Sequence, residues 1–163
     1  MREILFRGKR VDNGEWVVGS LIKDVFYHVG DPNSIPYILS VEGIEYDCWE
    51  DFDDEHGLYE VIPETVREYT GLKDKKGNKI FEGDILRSDN YPFNFDGFDN
   101  YYAKVVWFSD SPAFGIVTCK NPKSSVNGLS DGNTDFIEEN ELSSFEIIGN
   151  IHDNPELLGE DKE

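Results

Sequence analysis

Apolar residues in this chain fall in short, β-branched and aromatic runs separated by turn formers. Residues 4–9 and 15–22 are two such runs, and Val11-Asp12-Asn13-Gly14 lies between them. Asn-Gly between β-rich runs predicts a hairpin. Gly8 and Gly19 sit inside the predicted strands, where glycine marks a bulge or a close backbone approach. Residues 25–29 and 37–41 read as further strands, joined by a breaker-rich loop at 30–36. Residues 46–56 are acidic and aromatic without a clean period, which leaves a loop or a short helical turn. Residues 58–62 predict a strand that Pro63 ends, and 63–69 predict one helical turn, with Pro at a first helical position followed by Glu64. A boundary near Pro63 divides an N-terminal β region, 1–62, from a second β region, 63–158, with 159–163 as an acidic tail.

The second region opens on Tyr69-Thr70-Gly71-Leu72-Lys73-Asp74-Lys75-Lys76-Gly77-Asn78-Lys79-Ile80-Phe81-Glu82-Gly83-Asp84-Ile85-Leu86. Lys75-Lys76-Gly77-Asn78 is a turn former between two short extended pieces, and Gly83-Asp84 breaks the chain before a new strand. Residues 102–108 and 113–119 predict a hairpin across Ser109-Asp110-Ser111-Pro112. Residues 121–134 are a loop, 135–142 have only weak periodicity, 145–151 form the last strand, and 154–158 a terminal helical turn. Several short strands of this kind suit a small barrel. The pattern by itself does not choose among small barrels.

Four pieces of this sequence resemble the YopX family, small proteins encoded mainly by bacteriophages and prophages. They are residues 2–10 with 13–21, the stretch 69–86, Val105-Val106-Trp107, and Phe145-Glu146-Ile147-Ile148-Gly149-Asn150-Ile151-His152-Asp153-Asn154-Pro155-Glu156-Leu157-Leu158. The similarity covers both ends and the centre in family order; 26–61 and 88–100 carry no matching motif. The resemblance implies a mainly β protein whose C-terminal part is an SH3-type barrel, and it implies no known activity. The motif residues Thr70, Gly71, Leu72, Asp74, Gly77, Gly83, Asp84, Trp107, Gly149, Asn150, Asn154 and Pro155 are expected to be structural.

Charge changes the picture next. The 163 residues carry a net charge of −19, with 34 Asp and Glu against 15 Lys and Arg. Such an excess argues against generic binding to DNA phosphates or an anionic membrane. The charge is uneven. Residues 42–60 hold nine acids and no Lys or Arg, and from 131 onward the only base is Lys162. Bases gather at 2–23 and 67–87. The acidic stretches read either as solvated faces or as a surface for a basic partner. Cys48 and Cys119 lack any metal or redox spacing and read as reduced thiols. No apolar run approaches the roughly 20 residues that span a bilayer, and no secretory leader is recognisable. The expectation is a soluble protein of the bacterial cytoplasm.

Candidate chemistry is sparse. His28, His56 and His152 are isolated, with no second ligand at zinc spacing. The acidic loop from Asp51 begins like a calcium loop, but His56 occupies the place of the turn glycine and Ile62 that of the bidentate acid; Phe136 and Leu142 spoil the loop from Asp131 in the same way. No carboxylate pair is singled out by an apolar setting. Nucleophile-elbow, Walker and dinucleotide motifs are lacking. No catalytic residue, metal or cofactor is therefore expected. Tyr91, Phe93, Phe95 and Phe98, in an aromatic insertion, are the candidate interaction surface, either tucked into a core or subunit contact or offered for stacking and peptide binding.

The leading expectation is a non-enzymatic phage or prophage accessory protein that binds an unidentified protein and itself, as a homo-oligomer. Two alternatives stand beside it: an acidic mimic of nucleic acid that occupies a basic groove on a host or phage enzyme, and a hydrolase using paired carboxylates. Direct nucleic-acid binding through the bases at 67–87 is opposed by the overall charge.

Overall fold

The computed structural model describes residues 3–23, 35–40, 57–88, 101–119, 134–136 and 144–158. Its strands are β1 (Phe6–Lys9), β2 (Trp16–Ile22), β3 (Tyr37–Leu39), β4 (Leu58–Glu60), β5 (Arg67–Lys73), β6 (Lys79–Phe81), β7 (Asp84–Ser88), β8 (Tyr101–Phe108), β9 (Ala113–Thr118), β10 (Thr134–Phe136) and β11 (Phe145–Asn150). The only helical pieces among the described residues are two 3-10 turns, Pro63–Thr65 and Pro155–Leu158. The protein is mainly β, with two antiparallel sheets in the orders β4-β3-β2-β1-β5-β6 and β10-β9-β8-β7-β11. The chain divides into two compact units, 1–69 and 70–163, so the division falls inside β5.

In the first unit the expected hairpin forms. β1 pairs with β2 from Phe6↔Gly19 to Lys9↔Trp16. The Asn13 side-chain oxygen accepts from the Glu15 backbone N–H at 2.9 Å, so Asn13 closes the turn with its own amide. Beyond β2 the meander continues through β3 and β4. Val17, Ile38 and Val61 form the core, with Phe6, Leu21, Tyr59 and Val66 packed on it. The strand glycines answer a spatial need. A side chain on Gly19 would run into the Leu39 carbonyl, its Cβ 2.6 Å from the carbonyl carbon.

The helical turn expected over 63–69 is shorter than its sequence suggests. It ends at Thr65, and Val66 is already extended at φ −66° and ψ 123°. Arg67 and Glu68 then pair with Arg7 and Phe6 of β1. The reason is tertiary: a ladder with β1 satisfies these backbone groups, whereas an isolated short helix leaves its end groups open.

The second unit is built on period-2 burial. Tyr101, Ala103 and Val105 of β8 are buried while Tyr102, Lys104 and Val106 are half-buried. The inward residues meet Ile80, Leu86, Ile116 and Phe145 in one core. Tyr101 packs edge-to-face on Phe145 at 6.1 Å, and its hydroxyl meets Thr118 Oγ1 at 2.8 Å. The 102–108 and 113–119 hairpin forms as β8 and β9, in register from Ala103↔Thr118 to Phe108↔Ala113. β10 pairs with β9 where the sequence shows only weak periodicity. Strands expected at 25–29 and the turn or loop at 46–56 lie outside the described residues.

Gly19→Ala is expected to lower unfolding free energy by about 3 kcal/mol, because backbone rather than a side-chain tip must move. Ser20→Ala, at the exposed neighbouring position, should change it by less than about 0.5 kcal/mol. Urea denaturation of the two variants checks this contrast.

Candidate functional site

The residues singled out by sequence gather at three polar turns and one exposed aromatic end, all in the second unit. The first turn joins β5 to β6. Asp74 is buried at its centre. Its Oδ1 accepts from the backbone N–H groups of Lys76 and Asn78, each at 2.9 Å. Its Oδ2 accepts from Asn78 Nδ2 at 3.1 Å and from the Ile147 N–H at 3.3 Å. Burial pushes the Asp74 carboxyl up, but the donors from Asn78, Ile147 and Lys76 outweigh it and hold the group below its ordinary value. Gly77, at φ +87°, closes the turn. Upstream, Thr70 donates to the Ile80 carbonyl at 2.8 Å and accepts from the Leu72 N–H, Gly71 takes φ +90°, and Leu72 packs on the core.

Glu146 on β11 is clasped by two lysines of the same turn. Lys75 Nζ stands 3.0 Å from Glu146 Oε2, and Lys76 Nζ meets Oε1. The lysine hydrogen bonds pull the Glu146 carboxyl from 4.5 down to about 2. Two of the bases at 67–87 are thus matched to an acid of the closing motif, a pairing that spacing in the chain does not reveal.

The second turn lies between β6 and β7. Asp84 is fully buried, and its Oδ2 accepts from the Phe81 N–H at 2.8 Å. Gly83, at φ +79°, donates to Val105 and accepts from Ile151. The third turn is the closing motif. Asn150 Oδ1 accepts from the N–H groups of His152 and Asp153, at 2.9 and 3.0 Å, and its Nδ2 donates to Asp153. Asn154 folds back so closely that a Cβ on Gly149 would sit 2.8 Å from its Cγ. Pro155 then begins the terminal 3-10 turn.

Trp107 is different. Alternation along β8 points it to the core side, yet it is 43% exposed at the hairpin end. It packs edge-to-face on its cross-strand partner Phe114, centroids 4.8 Å apart. Nearby, Phe108 meets Phe136 of β10 at 5.7 Å, and Phe136 is 51% exposed. Phe114, Phe108 and Phe136 carry no motif signal. Only strand pairing brings Phe114 to Trp107, and Phe136 to Phe108 on the other face of the sheet. Tyr91, Phe93, Phe95 and Phe98 lie outside the described residues. Among the described residues no group of three or more His, Cys, Asp or Glu side chains could hold a metal ion, and no helix is long and apolar enough to cross a membrane. Cys119 is buried.

Both clasped carboxylates have folded-state values below their unfolded ones. Their stabilisation is therefore complete above the unfolded range and lost as pH falls, for Glu146 from about 4.5 down to about 2. Unfolding free energy measured from pH 6 to pH 2 should drop more steeply in the wild type than in Glu146→Gln; equal slopes would show that the lysine clasp contributes nothing. Asp74→Ala should cost about 3 kcal/mol at pH 7, since buried N–H donors lose a charged acceptor.

A crystal structure of protein EF1440 from Enterococcus faecalis is similar, with a TM-score of 0.51 and 22% sequence identity, covering 97% of this chain and 99% of that one. This likeness concerns the fold. No curated protein matches the chain. The family model described as YopX protein matches residues 6–159, the span that contains all three polar turns and Trp107. The chain belongs to the YopX family.

Proposed function

We propose that this YopX-family chain acts by binding another protein and performs no reaction of its own. The observation that carries the reading is Trp107. Tyr69, Phe81 and Phe145 of the same sequence motifs are buried, whereas Trp107 is exposed beside Phe114. Trp is enriched at the anchoring centres of protein interfaces, where a rigid ring fills a pocket on the partner. The polar motif residues offer less to a substrate. Asp74, Thr70, Asn150 and Asn154 spend hydrogen-bonding capacity on turns of their own unit.

The reading extends to the architecture and setting. The order β10-β9-β8-β7-β11, with its irregularity between Ile147 and Gly149, is compatible with an SH3-type barrel over the second region, a scaffold that presents loops and strand ends to partners. Fold does not name the ligand. The expected setting is a phage or prophage accessory role in the bacterial cytoplasm, with self-association as a homo-oligomer. The nucleic-acid-mimic alternative draws on the −19 charge, and it predicts binding that weakens steeply with salt.

Capture from a bacterial host lysate on immobilised wild type and on Trp107→Ser is the test. A host protein retained by the wild type should be retained about 10-fold less by the variant, with both proteins melting at closely similar temperatures. Equal retention by both would remove Trp107 from the binding surface. Turnover of an ester, phosphoester or glycoside that disappears when one carboxylate is neutralised would overturn the non-enzymatic reading.

A further inference from the structure

The β1–β2 turn of the first unit carries chemistry that the Trp107 reading does not use. Val11-Asp12-Asn13-Gly14 closes the hairpin, and residues 11–15 are all exposed. In an Asn-Gly pair the backbone nitrogen reaches the preceding side-chain amide with least hindrance, because glycine places no side chain beside that nitrogen. Gly14 takes φ +74°, and nothing lies within 4 Å of the place that a Cβ would occupy. A second Asn-Gly pair, 127–128, lies outside the described residues. The other described asparagines are worse placed. Asn78 precedes Lys79, and the buried Asn150 precedes the β-branched Ile151. Asn154 precedes Pro155, whose nitrogen has no proton to lose.

Hydrogen bonds hold the Asn13 amide in a reactive posture. Its Oδ1 accepts from the Glu15 N–H at 2.9 Å, which makes an Asx turn. The ring closed by this bond contains both Asn13 Cγ and the Gly14 nitrogen, so the amide carbon and its nucleophile are folded to one side of the chain. A donor on Oδ1 also polarises the amide and stabilises the oxyanion that attack creates. Asn13 Nδ2 donates to Glu15 Oε2 at 3.1 Å, which fixes the two ends of the amide. One contact opposes the reaction: the Gly14 N–H donates to the Arg10 carbonyl at 3.0 Å. That bond must open, and it lies at an exposed hairpin end, where local opening costs little.

We propose that Asn13-Gly14 is a self-modification site whose deamidation loosens the β1–β2 hairpin. The Gly14 nitrogen gives its proton to hydroxide and bonds to Asn13 Cγ. The Cγ–Nδ2 bond breaks, and Nδ2 takes a proton from water and leaves as ammonia, so a five-membered succinimide remains. Water adds to one of the two ring carbonyls and opens the ring to aspartate or isoaspartate; nothing is oxidised or reduced. Each event adds one negative charge to a chain already at −19. The geometry decides where that charge falls. The amide that donated to Glu15 becomes an acceptor, so a hydrogen bond is replaced by two carboxylates in contact. Arg10, the base of the same turn, is already bonded to Asp12 and lies over the Tyr59 ring, 4.0 Å from its centroid. Isoaspartate does more, since it adds a carbon to the backbone of the turn that sets the β1–β2 register. The disturbance meets β1 where it is most connected: β1 pairs with β2 and β5, and Arg10 bridges to Val61.

Peptide mapping by mass spectrometry of the full-length protein, incubated at pH 8 and 37 °C, tests the proposal. Asn13 should turn to acid about 10-fold faster than Asn78 or Asn150, a difference of about 1.4 kcal/mol in barrier. The folded protein should react at Asn13 within about 10-fold of the chain in guanidinium chloride, because the exposed turn opens locally. The isoaspartate form, separated by ion exchange, should melt lower than the unmodified protein. Asn13→Asp carries the new charge without the longer backbone. It should also melt lower than the wild type, and the drop should vanish when Glu15→Gln is added. An intact Asn13 after Asn78 or Asn150 has reacted, or protection by folding beyond about 10-fold, would overturn the proposal. So would an isoaspartate form that melts with the unmodified protein. An Asn13→Asp drop that is absent, or that survives Glu15→Gln, would overturn the carboxylate contact on which the charge argument stands.

Discussion

A buried carboxylate with four donors organises the second unit. Asp74 ties its own turn together through Lys76 and Asn78, and it reaches across to the Ile147 N–H of β11. The backbone repeats the link, because Lys75 donates to the Phe145 carbonyl at 2.9 Å. A turn near residue 75 is thereby fastened to the final strand. Neither end can settle without the other, since a buried charge that loses its donors is far more costly than a neutral group left in the same place. The Lys75 and Lys76 clasp on Glu146 lies over the same junction, and it acts in solvent, where such pairs contribute modestly.

The same device recurs at Asp84 and Asn150. Each is a buried short polar side chain at the junction of a strand and a turn, Asp84 accepting from the Phe81 N–H and Asn150 from those of His152 and Asp153. Local acceptance of this kind is what Asp and Asn do best outside helices. It explains why a family signature dense in Asp, Asn and Gly need contain no reactive group. Those residues specify the path of the chain, and the path carries Trp107, Phe114, Phe108 and Phe136 to one end of a sheet. In the binding role proposed above, recognition falls to the rings at the end of β8, which the turns do not consume.

Legibility in the sequence followed the range of the interaction. The β1–β2 and β8–β9 hairpins were readable because Asn-Gly and Ser-Asp-Ser-Pro lie between clear apolar runs. The terminal turn at Pro155 was readable for the same local reason. The piece at 63–69 was only half readable: Pro63 does start a helical turn, but β1 claims Arg67 and Glu68 for a ladder. β10 was not readable at all, since three residues have too few positions to show a period and its existence depends on pairing with β9. The site divided in the same way. Motif residues could be named from the chain, yet the partners of Asp74 at Ile147 and of Lys75 at Glu146 lie about seventy residues away.

By itself the sequence determined a β protein of short hairpins, the places where it must turn, its acidic balance and its family. These depend on neighbours in the chain, on φ preferences at Gly and Asn, and on summed charge. Tertiary structure alone decided which polar residues were buried as turn anchors, that Trp107 stands out from a strand whose earlier alternate residues are core, and that Arg67 and Glu68 join a ladder with β1. Those outcomes depend on strand register, which places residues far apart in the chain within a few ångströms and so is not written in any local pattern.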